Sequence, residues 1–230
     1  MVAIEPVTAK EEILARIAGA LGDVPAGERP DDVEVPRAYR RTEPGDAVER
    51  FVERIAEYRT TVQRVGAGDV AAAVADRCRE RGAARLAVPA ELPQEWAPAG
   101  VELVPEAALS AAALDEVDGA LTGCVLAIAE TGTIVLGGGA TEGRRALTLV
   151  PDYHVCVVRE SQIVGGVPEA MAHIAQNLRA DRRPVTFVSG PSATSDIELS
   201  RVEGVHGPRR LSLIVAAFDS GANRNLIEGC

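Results

Sequence analysis

Residues 60–88 read TTVQRVGAGDVAAAVADRCRERGAARLAV, and this stretch decides the fold class. Thr60–Val65 alternates polar and apolar residues and predicts a strand, Asp69–Arg81 predicts a helix, and Arg85–Val88 predicts a short buried strand. A strand, a helix and a second strand in this order form the unit from which parallel sheets with helices on their faces are built. The sequence therefore predicts an α/β protein.

The turn inside this unit, GAGDVA at residues 66–71, matches the G-x-G-x-x-A pattern of dinucleotide-binding folds. Two features weigh against a nucleotide site. The preceding strand alternates polar and apolar residues, whereas the first strand of a dinucleotide-binding sheet is buried on both faces, and Asp69 would face a pyrophosphate. We interpret Asp69 as the N-cap of the helix instead.

The same alternation of strands and helices continues toward the C-terminus. A hairpin is predicted around the turn Glu130–Gly132, and its antiparallel strands make us expect a mixed, mostly parallel sheet flanked by helices. The other predicted elements are strands at Val101–Val104, His154–Val158, Val185–Ser189 and Leu211–Ala216, a mainly helical stretch at Ala107–Ala120, and a helix from about Pro168 to Leu178.

The N-terminal part differs from this body. Thr8 and Glu11 form a capping box, and the apolar residues that follow recur at helical spacing, so a first amphipathic helix is predicted. Residues 22–44 are rich in Pro, Gly, Asp and Arg and indicate an extended linker. We therefore divide the chain into residues 1–44, a helix and linker that we expect to contact a partner, and residues 45–230, the α/β domain.

Composition excludes several classes of protein. The formal net charge of −10 disfavours a general nucleic-acid binder, because phosphate contacts need a basic surface. No apolar stretch approaches the roughly 20 residues of a membrane span, and residues 1–10 lack the pattern of a secretory signal, so we expect a cytoplasmic protein. The four cysteines are scattered without a Cys-x-x-Cys pair, which argues against an iron–sulfur cluster, a zinc ribbon or a disulfide framework. Because no other motif convincingly binds flavin, nicotinamide or a metal, we expect the chain itself to bind no cofactor.

The segment SGPSATSDIE, residues 189–198, is the strongest candidate for a functional loop. It follows a predicted buried strand, and ligands of open α/β sheets bind at the carboxyl ends of the strands. A turn followed by a helix N-cap at Ser195 or Asp196 is the alternative interpretation, but it leaves Ser192, Thr194 and Glu198 unexplained.

The three histidines, His154, His173 and His206, lack the spacing of metal ligands. Ser192, Asp196 and His206 together suggest a hydrolase triad, but the G-x-S-x-G motif is missing. His206, in GVHGP at residues 204–208, is the histidine we favour for a functional role, although its Gly and Pro neighbours also suit a structural turn.

Three ordered motifs resemble one known family. AIAETGTIVL at residues 127–136, SGPSATSDIE at residues 189–198 and GVHGP at residues 204–208 are similar to the motifs of the LUD-domain family. The resemblance implies a fold similar to the NagB/RpiA/CoA-transferase group. It also implies membership of a three-subunit cytoplasmic system that oxidises L-lactate to pyruvate, in which companion subunits carry the iron–sulfur clusters.

On this resemblance we expect a cleft between the Glu130–Thr133 turn and the Ser189–Glu198 loop that binds a small carboxylate or phosphorylated ligand. Arginine binds carboxylates through two parallel hydrogen bonds, so Arg144, Arg209 and Arg210 are candidate donors to the ligand. The candidate catalytic residues are Glu130 and His206. The candidate ligand-binding residues are Thr131, Gly132, Thr133, Gly190, Ser192, Thr194, Asp196, Glu198 and Arg209.

Two other functions remain open at this point. Some CoA transferases of the same fold use a nucleophilic glutamate in a Glu-x-Gly turn, which Glu130-Thr131-Gly132 resembles, so Glu130 is a candidate for forming an acyl intermediate. Alternatively, the chain is a non-catalytic assembly or regulatory subunit whose loops contact a partner.

Overall fold

The computed structural model describes residues 8–25, 27–29, 32, 34–36, 38–42, 44–181, 183–194 and 202–218. The chain divides into two units, Met1–Tyr39 and Arg40–Cys230. Within the described residues, no helix combines the length and the apolar character that crossing a membrane requires.

The helices and strands are numbered here in chain order. The helices are α1 (Ala9–Ala20), α2 (Ala47–Ala56), α3 (Val70–Arg81), α4 (Ala111–Asp115) and α5 (Val167–Asp181). The strands are β1 (Thr61–Gly66), β2 (Arg85–Val88), β3 (Glu102–Pro105), β4 (Gly119–Thr122), β5 (Leu126–Ile128), β6 (Thr133–Leu136), β7 (Tyr153–Arg159), β8 (Ile163–Val164), β9 (Thr186–Val188), β10 (Ala193–Thr194), β11 (Val202–Glu203) and β12 (Arg210–Ala217).

The first unit contains α1, and its start is the predicted capping box. The Glu11 backbone N–H donates to Thr8 Oγ1 at 3.3 Å, while the Thr8 backbone N–H donates to Glu11 Oε2 at 2.8 Å. No residue of α1 is buried, and Ile13, Leu14, Ile17 and Leu21 are all at least half exposed. The helix therefore presents an uncovered apolar face.

Six parallel strands form the main sheet of the second unit, in the order β1-β12-β7-β4-β2-β3. The sheet is buried on both faces at its centre, since successive residues of β7 pack into opposite core clusters. Val155 and Val157 pack with α3, whereas Cys156 and Val158 pack with α2. This two-sided burial explains why the central strands are continuously apolar.

A second sheet, in the order β8-β5-β6-β9, is mixed: β6 pairs antiparallel with β5 and β9, whereas β5 pairs in parallel with β8. One face, which includes Ala127 and Ile134, packs on the main sheet, and the other face, which includes Ile128, packs on α5. The predicted α/β fold with a mostly parallel sheet flanked by helices is confirmed. The hairpin nevertheless belongs to a sheet of its own, because its strands form a separate layer and share no ladder with the parallel strands.

One local prediction is wrong, and another is confirmed in position only. Residues 107–120 were expected to be mainly helical, but only Ala111–Asp115 is α-helical, and Gly119 and Ala120 begin β4. Alanine-rich composition favours helix, yet burial between neighbouring strands overrides that preference. Asp69 stands at the N-cap position of α3 as predicted, but its side chain makes no capping hydrogen bond.

Candidate functional site

A cleft of about 240 Å³ opens at the amino ends of β7 and β12, and we call it the His154 cleft. His154 and Leu211 are the second residues of these strands, and they are register partners in the parallel pair. The described residues that line the cleft are Arg145, Thr148, His154, Thr186, Phe187, Val188, Ser189, Gly190, Pro191, Ser192, His206, Gly207, Pro208 and Leu211.

This location differs from the one expected from sequence. The Ser189–Ser192 segment does follow the carboxyl end of a strand, but that strand, β9, belongs to the second sheet. The cleft consequently lies at the amino ends of the parallel strands, not at the carboxyl ends where α/β sheets usually bind ligands. A short apolar strand does not reveal from sequence which sheet it will join, which explains the error.

The Glu130–Thr133 turn and Ser189 are joined by a chain of hydroxyl groups. Thr131 Oγ1 lies 2.7 Å from Thr133 Oγ1, which in turn lies 2.7 Å from Ser189 Oγ. The fold thus brings the two predicted segments together. Glu130 itself is exposed and is not among the described residues lining the cleft.

Gly132 has a structural explanation. Its φ of +57° suits glycine, and a Cβ atom at this position would lie 2.6 Å from the backbone N of Ile55 in α2. The close approach of the turn to α2 therefore requires glycine. Packing against α2 accounts for the glycine of the Glu-Thr-Gly pattern.

Ser192 anchors one wall of the cleft. Its backbone N–H donates to the Pro208 carbonyl at 2.8 Å, and its Oγ accepts the His206 backbone N–H at 3.1 Å. The hydroxyl hydrogen of Ser192 has no acceptor within the described part of the chain. The His206 side chain is exposed and lines the cleft.

Other predicted ligand-binding residues are placed as follows. Gly190 has a φ of +89° and packs directly on Tyr58, where a Cβ would collide. Thr194 lies in β10, paired with Val202, and its side chain is outside the described part of the structure, as are Asp196 and Glu198. Arg209 pairs with Asp152 at 3.3 Å, and Arg209 and Arg210 line a separate cleft that also contains Arg59 and Arg81, which we call the arginine cleft.

Arg144 has a structural role. Its backbone N–H donates to Glu106 Oε1 at 2.9 Å, its Nε donates to Glu106 Oε2 at 3.2 Å, and Glu106 is buried. The guanidinium compensates this buried carboxylate, as buried charges require. Arg144 therefore stabilises the fold, and it is not among the described residues that line the His154 cleft.

Arg145, which sequence analysis did not single out, is the cation of the cleft. Its Nη1 donates to Thr148 Oγ1 at 3.1 Å, and no carboxylate pairs with it among the described residues. Burial lowers its pKa. A half-buried guanidinium without a carboxylate partner is well suited to bind an anion, because that anion would restore the interactions the side chain has lost.

His154 is buried beside this cation and is also a residue that sequence analysis did not favour. Its Nε2 lies 2.7 Å from Thr122 Oγ1, and Thr122 donates its hydroxyl hydrogen to the Gly123 carbonyl at 2.9 Å. The geometry therefore assigns the proton of His154 to Nε2, which leaves Nδ1 as an acceptor. Burial and, to a smaller extent, the charge of Arg145 lower the pKa of His154 to about 4, so the ring is neutral at physiological pH.

The chemistry of the cleft follows from these groups. No acidic residue is present among the described lining residues, and the polar side chains are one guanidinium, two imidazoles and the hydroxyls of serine and threonine residues. A guanidinium binds a carboxylate through two parallel hydrogen bonds, and a neutral imidazole accepts a hydrogen bond from a hydroxyl. The arrangement fits a small carboxylate that carries a neighbouring hydroxyl group.

Only one of these two missed residues has a signal in the sequence. His154 is a polar residue in a strand that is otherwise apolar, and buried polar side chains need a specific partner. Arg145 has no comparable local signal, because it follows Arg144 in a chain whose basic residues are almost all arginine. Only the three-dimensional structure separates their roles.

Comparison with known proteins gives consistent matches. The model of the LUD domain matches residues 48–216. Lactate utilization protein C of Deinococcus radiodurans is 46% identical to this chain over 211 residues, which cover 90% of the chain and 95% of that protein. The uncharacterized protein YkgG of Escherichia coli is 40% identical over 84 residues, which cover 35% of the chain and 36% of that protein.

A solved structure is similar as well. The crystal structure of a DUF162 family protein from Deinococcus radiodurans matches with a TM-score of 0.65 and 42% sequence identity. The match covers 74% of this chain and 96% of that chain.

Proposed function

Because the chain belongs to the LUD-domain family, we propose that it functions in lactate utilization as a subunit of a cytoplasmic complex that oxidises L-lactate to pyruvate. The family resemblance drawn from the three sequence motifs is thereby confirmed. The name and 46% identity of the Deinococcus radiodurans relative support the assignment to lactate. The single structural observation that supports it is the guanidinium of Arg145, which has no carboxylate partner among the described residues, beside the neutral ring of His154.

In this proposal the His154 cleft positions the substrate. Arg145 binds the carboxylate of lactate, and the Ser192 hydroxyl donates a further hydrogen bond to it. The Nδ1 atom of His154 accepts a hydrogen bond from the 2-hydroxyl group. Pyruvate keeps the carboxylate contacts and replaces the hydroxyl with a carbonyl, so the product loses the hydrogen bond to His154.

A proton and a hydride equivalent must leave lactate. His154, with a pKa of about 4, is a weak base near neutral pH and acts as an orienting acceptor. His206 is exposed on the same cleft, and we assign it the role of receiving the hydroxyl proton. The hydrogen on C2 would leave as a second proton to solvent, and the two electrons would pass to the iron–sulfur clusters that we expect in companion subunits.

A reconstituted complex tests this assignment. Arg145→Gln should lower kcat/KM for L-lactate by about a hundredfold, since a charge-assisted bidentate contact contributes roughly 2–3 kcal/mol. Arg64→Gln is the matched control, because Arg64 pairs with Glu160 toward the carboxyl end of β1 and lines neither cleft. Equal activity of Arg145→Gln and Arg64→Gln would rule out the His154 cleft as the lactate site.

The exposed face of α1 favours a contact with a companion subunit. Ile13, Leu14, Ile17 and Leu21 form an apolar stripe on a helix without a buried residue. Deleting residues 1–44 should therefore abolish co-purification with the companion subunits, while circular dichroism should show that residues 45–230 remain folded. Retention of the companion subunits by the truncated chain would show that another surface makes the contact.

A further inference from the structure

The arginine cleft is a second site whose chemistry the proposed function does not use. It has a volume of about 150 Å³ and shares Pro191, Ser192 and Leu211 with the His154 cleft. Its remaining described lining consists of Tyr58, Arg59, Arg81, Arg209 and Arg210.

The charge of this cleft contrasts with that of the whole chain. Four arginines line it and no acidic residue does so within the described part of the structure, although the chain has a formal net charge of −10. Asp152 pairs with Arg209 at 3.3 Å, but this contact is half exposed and is therefore weak. Like charges held together repel one another, so a cluster of this composition is stabilised by an anion.

The backbone around the cleft holds one of the arginines in an unusual conformation. Arg59 has a φ of +60°, the one positive φ of a non-glycine residue in the described part of the chain. Its backbone N–H donates to the Ala56 carbonyl at 3.1 Å, as it closes the turn after α2. Glycine would fit this turn without strain, and backbone strain of this kind concentrates at binding sites.

The neighbouring arginines are held by other parts of the fold. Arg81 ends α3 and lies 6.0 Å from the ring of Tyr153, while Arg209 packs over Gly204, where a Cβ would come within 2.6 Å of its Nε. Arg210 is the first residue of β12. Exposed arginine residues from different parts of the fold therefore line one small cleft.

We propose that the arginine cleft binds the phosphate or pyrophosphate group of a small phosphorylated ligand. Arginine matches phosphate oxygens with paired hydrogen bonds, and several guanidinium groups together suit a polyvalent anion. The small volume fits such a group better than a folded partner. This site is independent of the lactate assignment, because it uses different cations from the His154 cleft.

Calorimetric titration of the full chain with pyrophosphate and inorganic phosphate at low ionic strength tests the proposal. Pyrophosphate should bind more tightly than phosphate, and its affinity should fall as salt is added. Arg81→Gln and Arg210→Gln should each weaken pyrophosphate about tenfold. Arg59→Gly should do the same while preserving the turn, because glycine adopts the same φ. Circular dichroism confirms that each variant is folded.

Two controls separate this site from its neighbour. Arg64→Gln and Arg145→Gln should keep the pyrophosphate affinity of the unmodified chain within about twofold. If Arg145→Gln lost pyrophosphate binding while Arg81→Gln and Arg210→Gln kept it, the anion would lie in the His154 cleft. That result would overturn the proposal. Absence of binding, or equally tight binding of a hexaglutamate peptide at the same arginines, would overturn it too. None of these outcomes depends on whether lactate binds.

Discussion

Glu130–Gly132 and Arg144–Arg145 are both short polar motifs beside a glycine, yet the fold uses them for different purposes. The first resembles the nucleophilic turn of a CoA transferase, but Gly132 is required by contact with α2, and Glu130 lies outside the described lining of the His154 cleft. The second resembles ordinary surface charge, but Arg144 neutralises buried Glu106 and Arg145 provides the cation of the cleft. A motif's local appearance is therefore a poor guide to whether tertiary packing or ligand chemistry explains it.

The largest expected effect comes from Gly132. Gly132→Ala should lower the free energy of unfolding by about 3 kcal/mol or more, since the new Cβ meets the α2 backbone at 2.6 Å and φ is +57°. Gly100→Ala is the control, because Gly100 has a φ of +77° but no neighbour within 4 Å, and it should cost only about 1 kcal/mol. Chemical denaturation measures both. If both variants lost the same free energy of unfolding, contact with α2 would not be the reason for glycine at position 132.

The pH dependence of stability should report the burial of His154. Its folded-state pKa is about 4, below the unfolded value of about 6.5, so the unfolded state binds more protons between these values. Protonation of His154 should therefore lower the free energy of unfolding by about 3 kcal/mol as the pH drops from about 6.5 to 4. His154→Gln should remove that component of the pH profile. Identical pH profiles for the two proteins would mean that His154 is not neutral and buried as described.

The two neighbouring arginines should differ in their effect on stability. Arg144→Gln leaves the Glu106 carboxylate without its cation and should destabilise the fold by about 2 kcal/mol. Arg145→Gln should change stability by less than about 0.5 kcal/mol, because it removes a charge with no carboxylate partner among the described residues. Urea unfolding of the two variants makes the comparison, and equal destabilisation would remove the distinction drawn between them.

Much of the fold was predictable because its signals are local. The strand, helix and strand of residues 60–88 and the β5–β6 hairpin follow from periodicity and turn chemistry alone. The sequence did not predict β4, because four residues are too few to show the alternation typical of a strand. The alanine-rich stretch before it also favoured a helix. The division of strands between two sheets was missed because it depends on pairing between distant residues.

The candidate site was predictable only in part, for the same reason. Ser192, Gly190 and His206 lie on recognisable polar turns and do line the His154 cleft. The role of His154 can be recognised only from its contact with Thr122. The pairing of β4 with β7 places these two residues side by side. The role of Arg145 can be distinguished from that of Arg144 only because the structure shows that Arg144 pairs with Glu106. Side chains brought together by non-local pairing leave no pattern in a single sequence.

Titration of the purified chain with pyruvate, compared between Arg145→Gln and Arg64→Gln, is the decisive experiment for the His154 cleft. We predict that Arg64→Gln binds pyruvate as the unmodified chain does, whereas Arg145→Gln weakens binding by about a hundredfold. Pyruvate binding that is unaffected by Arg145→Gln would contradict the claim that the His154 cleft holds the substrate carboxylate.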